Sequence, residues 1–512
     1  MALKDIASNL DKQTGTLTDE QNKHILSRCL FGYTKANLDS IKSLTLSEIM
    51  STLLDDSQAM PSSPIVIDSQ DTALNVGDPW QTSVGISRAD YRRGSLFGWW
   101  GHLILEQPIN LREKLVLFFS NHIPVQEKVT GNANWLLEYQ NILRSNCFGN
   151  LKTMVSQLAI CPAMLHYLNG TSNQAKKPNE NFGRELLELF TLGKGPQVGE
   201  GDYTNYTEDD VKAASRVMSG WRVDGTTWDA YYTESRHDIT DKVFSAALSS
   251  QTISNNGELE YLDLINLLFA QKSTARTFVR KLYRFFVHYH IDTTIETNVI
   301  EPLATLLFDG GYDLKPVYEK LFSSKHFFDS NIIGGMIKSP IDFVYGNQKL
   351  LEVALPASSD YITKYQTSLW YRGEASSMDQ LLGNTPSVAG WEAYYLAPVY
   401  HRKWMNSATY PIRQKFLSKV FATRDYSKAG VVVPIHPDWT SLLSLKGSAT
   451  SGEDIIQALV DFMFVKPIPS TVVTTLGVEY DQLKIDDPMI SEEDLLKEAI
   501  TTLSLMPEYQ LG

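Results

Sequence analysis

Apolar residues recur every three or four positions along most of this chain, the period of helices that bury one face. The clearest instance runs from Pro178 to Gly193. Phe182, Leu186, Leu189 and Phe190 fall on one side of it at about 100° per residue, and Glu180, Arg184 and Glu188 recur on another. Asn179 is placed to cap its start, Gly193 to give a left-handed stop, and Gly195-Pro196 to prevent continuation. Thr18-Asp-Glu-Gln21 reads as a capping box that opens a helix carrying Ile25, Leu26, Cys29 and Leu30. The same pattern predicts helices over 38–44, 47–54, 88–106, 111–122, 132–145, 149–160, 207–220, 259–270 and 273–290. It predicts more over 295–309, 313–323, 338–353, 391–397, 404–424, 452–464 and 491–505.

Alternating strand patterns are scarce, and Val431-Val432-Val433 is the best of them. Residues 57–87 and 354–390 read as long irregular segments. Residues 222–258 are polar, rich in Tyr and Thr, and contain the turn signal Asn255-Asn256-Gly257, so a loop with a small hairpin is expected there. The fold class is mostly α: a large helical domain with long irregular loops and little or no sheet. The expected layout is an N-terminal tail over 1–17, a helical lobe with the main polar motifs over 18–335, and a C-terminal helical lobe over 336–512 packed on the first. A single domain is the alternative.

Composition narrows the class. A chain of 512 residues that is 43% hydrophobic and 21% charged is globular. A net charge of -13 provides no basic footprint for nucleic acid. Cys29, Cys147 and Cys161 show neither metal nor redox spacing. No run reaches the roughly 18 apolar residues of a membrane span, so no transmembrane segment is expected. The first residues lack the apolar centre of a signal peptide; the expectation is a cytoplasmic protein or one whose export signal has been removed.

Seven separated motifs carry a family resemblance. They are His24-Ile-Leu-Ser-Arg-Cys-Leu-Phe-Gly32, the stretch from Pro108 through Asn110-Leu-Arg-Glu-Lys to His122, and Asn179-Glu-Asn-Phe-Gly-Arg-Glu-Leu-Leu-Glu-Leu-Phe-Thr-Leu-Gly193. The others are Tyr206-Thr-Glu-Asp-Asp-Val with Ser219-Gly-Trp221, His237-Asp238 with Lys242, the segment from Ala275 to Phe286, and Pro386-Ser-Val-Ala-Gly-Trp391 with Trp404 and Arg413. In order and spread the chain resembles the bacterial family catalogued as domain of unknown function 1800. That resemblance implies a large helical protein, commonly periplasmic or secreted, often encoded beside a sulfatase-like companion. It implies no agreed activity.

Several polar groups are candidates for chemistry. Glu180, Glu185 and Glu188 beside Arg184 are more charge than an otherwise apolar helix needs. Their structural reading is an interhelical salt-bridge network answered by the ladder Arg276, Arg280 and Arg284. Their functional reading is an acid/base set with pKa values split by mutual repulsion, suited to glycosidic-bond hydrolysis or to a hard cation. His122, at a helix exit before Pro124, reads either as a cap held as a cation by the helix dipole or as part of a site. His237 and Asp238 lie in the irregular segment, where catalytic loops are common. With Glu185, His122 and His237 make a candidate set of ligands for a divalent metal. Arg112 and Arg184 are candidates for orienting a substrate anion. Trp228, Tyr231 and Trp370 are candidates for a groove that binds a glycan or polypeptide, since flat apolar faces with a polar edge suit such partners.

Two functions follow as expectations. One is an exported hydrolase acting on a glycan or other extracellular polymer, with Glu180, Glu185, Glu188, His237 and Asp238 as catalytic residues. The other is a non-catalytic envelope or surface protein that binds the sulfatase-like companion, its polar motifs being structural.

Overall fold

The computed structural model describes residues 9–71, 73–80, 89–199, 202–357 and 359–512. Helix accounts for 56% of the chain, and the sheets are small and two-stranded. The four hairpins among the described residues are Gln197–Gly199 with Asp202–Tyr203, Trp221–Val223 with Ala230–Tyr232, Lys242–Val243 with Thr252–Ile253, and Arg424–Lys428 with Val431–Ile435. Val431-Val432-Val433 therefore is a strand, and the polar 222–258 segment contributes to two hairpins. The expected irregular segment 57–87 forms no helix in its described part; residues 72 and 81–87 lie outside the described residues, as do residues 1–8 of the tail.

Local signals set many helix starts. Thr18 and Gln21 form the expected reciprocal cap of Asp19–Cys29. Asn179 accepts from the Asn181 amide at the start of Glu180–Glu185. That helix does not continue in α form: Leu186–Phe190 is a π turn, a rare geometry that concentrates at functional sites. Gly193 then stops the segment with φ +74°.

Two helices lie where the sequence pattern gave none. Residues 354–390 contain a 17-residue helix, Tyr361–Ser377, rather than irregular chain. Its polar Lys364, Gln366, Thr367 and Ser368 are buried, which removes the one-sided apolar stripe. It packs tightly along Ala89–Leu105, where a Cβ on Gly98 would lie 2.7 Å from Tyr365 Cβ. Ser470–Asp486 likewise is an unexpected helix, rich in β-branched residues and held against Gly452–Met463. The segment expected as a helix over 391–397 is only a 3₁₀ turn, Glu392–Tyr394.

One continuous apolar core runs from Leu10 to Tyr509 and includes residues on both sides of position 335. Buried polar contacts cross the same place. Lys114 pairs with Asp342, and Lys349 donates to the Gln107 carbonyl at 2.8 Å. The helices Arg112–His122, Ala133–Asn146 and Lys272–Phe286 contribute to this core and position the polar groups described next.

Candidate functional site

The polar residues separate into a surface network, a sealed cluster, a small pocket and a wide groove. The surface network holds the acids at the start of the Glu180 helix. Arg184 donates to both carboxylate oxygens of Glu208 at 2.6 Å and to Glu180 at 3.3 Å. These bonds hold the Arg184 guanidinium above its ordinary pKa, the Glu208 hydrogen bond being the main cause. Glu188 accepts from the Tyr206 hydroxyl at 2.7 Å. The expected answer from the arginine ladder is corrected: Arg276 pairs with Glu301 and Arg280 with Glu296, while Arg284 sits 5.7 Å from the Tyr400 ring centroid. Each ladder arginine turns to its own neighbours, while Glu180 is answered by Arg184 of its own helix, which also holds Glu208.

The sealed cluster contains His237. Its Nε2 lies 2.9 Å from Glu260 Oε2, and Lys242 Nζ lies 2.5 Å from Glu260 Oε1. The three side chains are 1%, 0% and 0% exposed for His237, Glu260 and Lys242. His237 Nδ1 lies 2.9 Å from the Ser219 carbonyl, so both ring nitrogens are engaged. Asp238 pairs outside this set with Arg216 at 2.8 Å and with Thr240. Although Asp238 is partly buried, these partners lower its pKa well below the carboxylate range. The cluster fastens the hairpin segment to the helices Glu208–Val217 and Glu260–Phe269 and presents no free group to a substrate.

The small pocket lies at the other end of the polar motifs. Phe118, Asn121, His122, Lys281, Ala389, Tyr394 and Tyr395 line about 20 Å³ of space. Lys281 donates to the Leu189 carbonyl of the π turn at 2.6 Å and approaches His122 Nδ1 at 3.2 Å. Burial and the charge of Arg284 bring Lys281 down to about 7 from 10.5, against the opposing pull of Glu185. His122 is not the dipole-stabilised cation expected. Burial, then Lys281, pushes its pKa well below 6.5, and its ring packs on Phe118 and Phe278. Glu185 has a raised pKa, through burial and then Glu188.

Other expected site residues are placed elsewhere. Arg112 is buried and donates to the carbonyls of Asp56, Gln58 and Ala59 beside the Phe148 ring, so it ties down a loop. Trp370 is a helix residue packed against Tyr371, Phe416 and Tyr426, not a loop platform. The expected metal set is not assembled: His237 is engaged by Glu260 and His122 by Lys281. Among the described residues no three His, Cys, Asp or Glu side chains gather in a manner that could hold a metal ion. Tyr231 is exposed on its hairpin strand.

Trp228 does reach a groove. Its walls come from the helices Ala133–Asn146 and Leu151–Ala159, the 226–230 turn and the start of Glu260–Phe269, and they enclose about 1520 Å³. Trp135 donates through Nε1 to the Trp228 carbonyl at 2.8 Å, and the two rings meet edge-on at 5.6 Å. Trp228 has φ +68°, a strained backbone state for a bulky residue. Tyr261 adds a third aromatic lining residue. Glu138 and Asp229 line the same groove. Glu138 is half-buried, with no hydrogen bond or ion pair to a described residue. Burial, then the nearby Asp229 charge, raises it to about 6.

Sequence reading missed Glu138, Asp229, Trp135, Tyr261, Glu260 and Lys281 as site residues. Two carried a usable signal. Glu138 is the one acid in the otherwise apolar and amide-rich 133–146 helix, and Lys281 interrupts the apolar line from Phe278 to Phe285. A family model described as a protein of unknown function (DUF1800) matches residues 24–511. No curated protein and no solved structure matches the chain.

Proposed function

We infer that this chain, which belongs to the DUF1800 family, is a hydrolase-type enzyme that binds a glycan or similar extracellular polymer along the Trp135/Trp228/Tyr261 groove. The observation that carries this reading is the unpaired, half-buried Glu138 beside exposed Asp229 within an aromatic-lined groove. Aromatic faces suit sugar rings. Two carboxyls in different environments suit general acid and base roles. Glu138, raised to about 6, is the proton donor to the leaving oxygen, and Asp229 is its charged partner. The reaction class expected from sequence is kept, while its acids move from the Glu180 helix to the groove. Export to the cell envelope or medium belongs to the same proposal, since the substrate is extracellular. No described helix is long and apolar enough to cross a membrane.

A second reading has its own support. Most charges of the family motifs pair internally, as in the bidentate Arg144–Glu113 contact at 2.7 and 2.9 Å and the Arg184–Glu208 contact. That pattern suits a non-catalytic surface protein whose groove holds a polymer, or a companion protein of the sulfatase-like kind, without cleaving it.

The deciding experiment screens polysaccharides for binding by affinity electrophoresis and for turnover by reducing-end release, with the parent and Glu138→Gln. The hydrolase reading expects turnover to fall by about 10²–10⁴-fold in the variant, with binding and melting temperature unchanged. It also expects turnover by the parent to decline as pH rises through about 6, where Glu138 loses its proton. Binding without turnover in the parent favours the second reading. Neither binding nor turnover with any polysaccharide sinks the glycan assignment.

A further inference from the structure

Lys281 is not used by the groove, and its amine combines contacts that other inward lysines make singly: Lys338 and Lys349 also donate to backbone carbonyls with no carboxylate partner among the described residues, but neither touches an imidazole. Lys242 is neutralised by Glu260, Lys114 by Asp342 and Lys364 by Glu106. Lys281 has no carboxylate within ion-pair distance among the described residues. Its amine touches a backbone carbonyl and a neutral imidazole, and it lines a pocket. With the amine as donor to His122 Nδ1, the ring hydrogen sits on Nε2, which is buried with no hydrogen-bond partner among the described residues. The Leu189 carbonyl that fixes the amine comes from the π turn, where the helix has been re-aimed.

We propose that Lys281 is a nucleophilic amine that captures the carbonyl carbon of a small aldehyde or ketone as a Schiff base, with His122 as its proton-transfer partner. A desolvated lysine beside another cation is a recognised way to make an amine nucleophilic near neutrality. The groups that face it are His122 from Arg112–His122, Glu185 and the Leu189 carbonyl from the 180–190 segment, and Arg284 one turn along its own helix. Arg284 and burial favour the free base, and Glu185 opposes them.

The chemistry balances without an oxidant. The Nζ lone pair adds to the carbonyl carbon while the C=O π pair moves to oxygen. Nζ then gives up both its protons in turn through His122 Nδ1 to that oxygen: the first makes the carbinolamine hydroxyl, and the second makes it water, which leaves as the nitrogen lone pair forms the C=N bond. Amine plus carbonyl compound becomes imine plus water. A space of about 20 Å³ accepts a group little larger than one water molecule. Only the carbonyl end enters, and the rest of the ligand lies outside beside Tyr395, whose side chain reaches the surface.

The test uses the full chain, glycolaldehyde as probe and sodium cyanoborohydride to trap the imine, with peptide mapping by mass spectrometry over a pH series. Lys338 and Lys349 serve as internal references, since burial lowers both only to about 8. The expected result is modification of Lys281 about fivefold ahead of both references, and much further ahead of the surface lysines, at pH 7, because a larger share of it is free base. The lead should fade towards pH 10 as the others deprotonate. His122→Gln should slow the Lys281 adduct without shifting the melting temperature. Modification of Lys281 no faster than Lys338, Lys349 or exposed Lys212 overturns the proposal. So does an adduct rate at Lys281 that His122→Gln leaves unchanged. The parent protein supplies the first result even where a variant fails to fold.

Discussion

Lys242, Glu260 and His237 form a closed set in which the carboxylate is shared by the amine and the imidazole and no side chain is more than 1% exposed. Lys281, Glu185 and His122 are the same three residue types arranged without that sharing. There the lysine meets a carbonyl and a ring nitrogen, the histidine keeps one nitrogen unpartnered, and the glutamate acts only at a distance. The difference shows what a central carboxylate does. In the closed set it offsets the desolvation of the amine, so burial produces a fastener. In the open set burial is uncompensated, and it lowers the lysine to about 7 and holds the histidine neutral. Two groups of one composition thus have opposite uses, and the use follows from who touches whom.

The largest effect that separates them is the loss of the shared carboxylate. Glu260→Gln keeps the shape of the closed set and leaves Lys242 buried without a counter-charge, a situation that destabilises by about 3–5 kcal/mol. Urea unfolding followed by circular dichroism should show the midpoint moving down accordingly. A midpoint within error of the parent would mean that Lys242 is not held by Glu260, and the contrast with the open set would collapse.

The open set responds with the opposite sign. The folded protein releases the Lys281 proton near pH 7, whereas the unfolded chain holds it to about 10.5. The unfolded state therefore binds more protons across that interval, so stability rises with pH through it. The burial penalty is fully present below pH 7 and gone by about 10.5. Lys281→Met removes the penalty and also the hydrogen bond to Leu189. The net expectation is a gain of about 2 kcal/mol at pH 6, shrinking to none or a small loss by pH 10. Melting curves at pH 6, 8 and 10 check it. A loss of stability at every pH would show that Lys281 is a fastener like Lys242.

The contrast also marks what could be read in advance. Elements set by neighbours in sequence were legible: the Thr18/Gln21 box, the Gly193 stop and the Val431–Ile435 strand each rest on contacts within a few residues. Tyr361–Ser377 was not, because burying Lys364, Gln366 and Ser368 against another helix erases the stripe that periodicity detects. The candidate site divides the same way. His122, Glu185 and His237 stood out as polar residues in apolar or irregular surroundings, and each does sit in a polar cluster. Their partners Lys281, Glu260 and Ser219 arrive from other elements, so no spacing could assign them. Glu138 and Asp229 are 91 positions apart in number, and only the folded chain brings them to one groove.

The smallest effect belongs to the surface network, which bounds the comparison from the exposed side. Arg184 has better hydrogen-bond geometry than either lysine, two short bonds to Glu208 and a longer one to Glu180, yet its side chain is 32% exposed. Water and salt screen such a pair, and holding long side chains in one geometry offsets part of the attraction. Arg184→Ala is therefore expected to lower stability by no more than about 1 kcal/mol, and by less at 0.5 M salt than at 0.05 M. Urea midpoints at the two salt concentrations measure it. A loss as large as that of Glu260→Gln, and indifferent to salt, would place Arg184 in the sealed class. Partner identity, not exposure, would then be the property that sorts the charged groups of this protein.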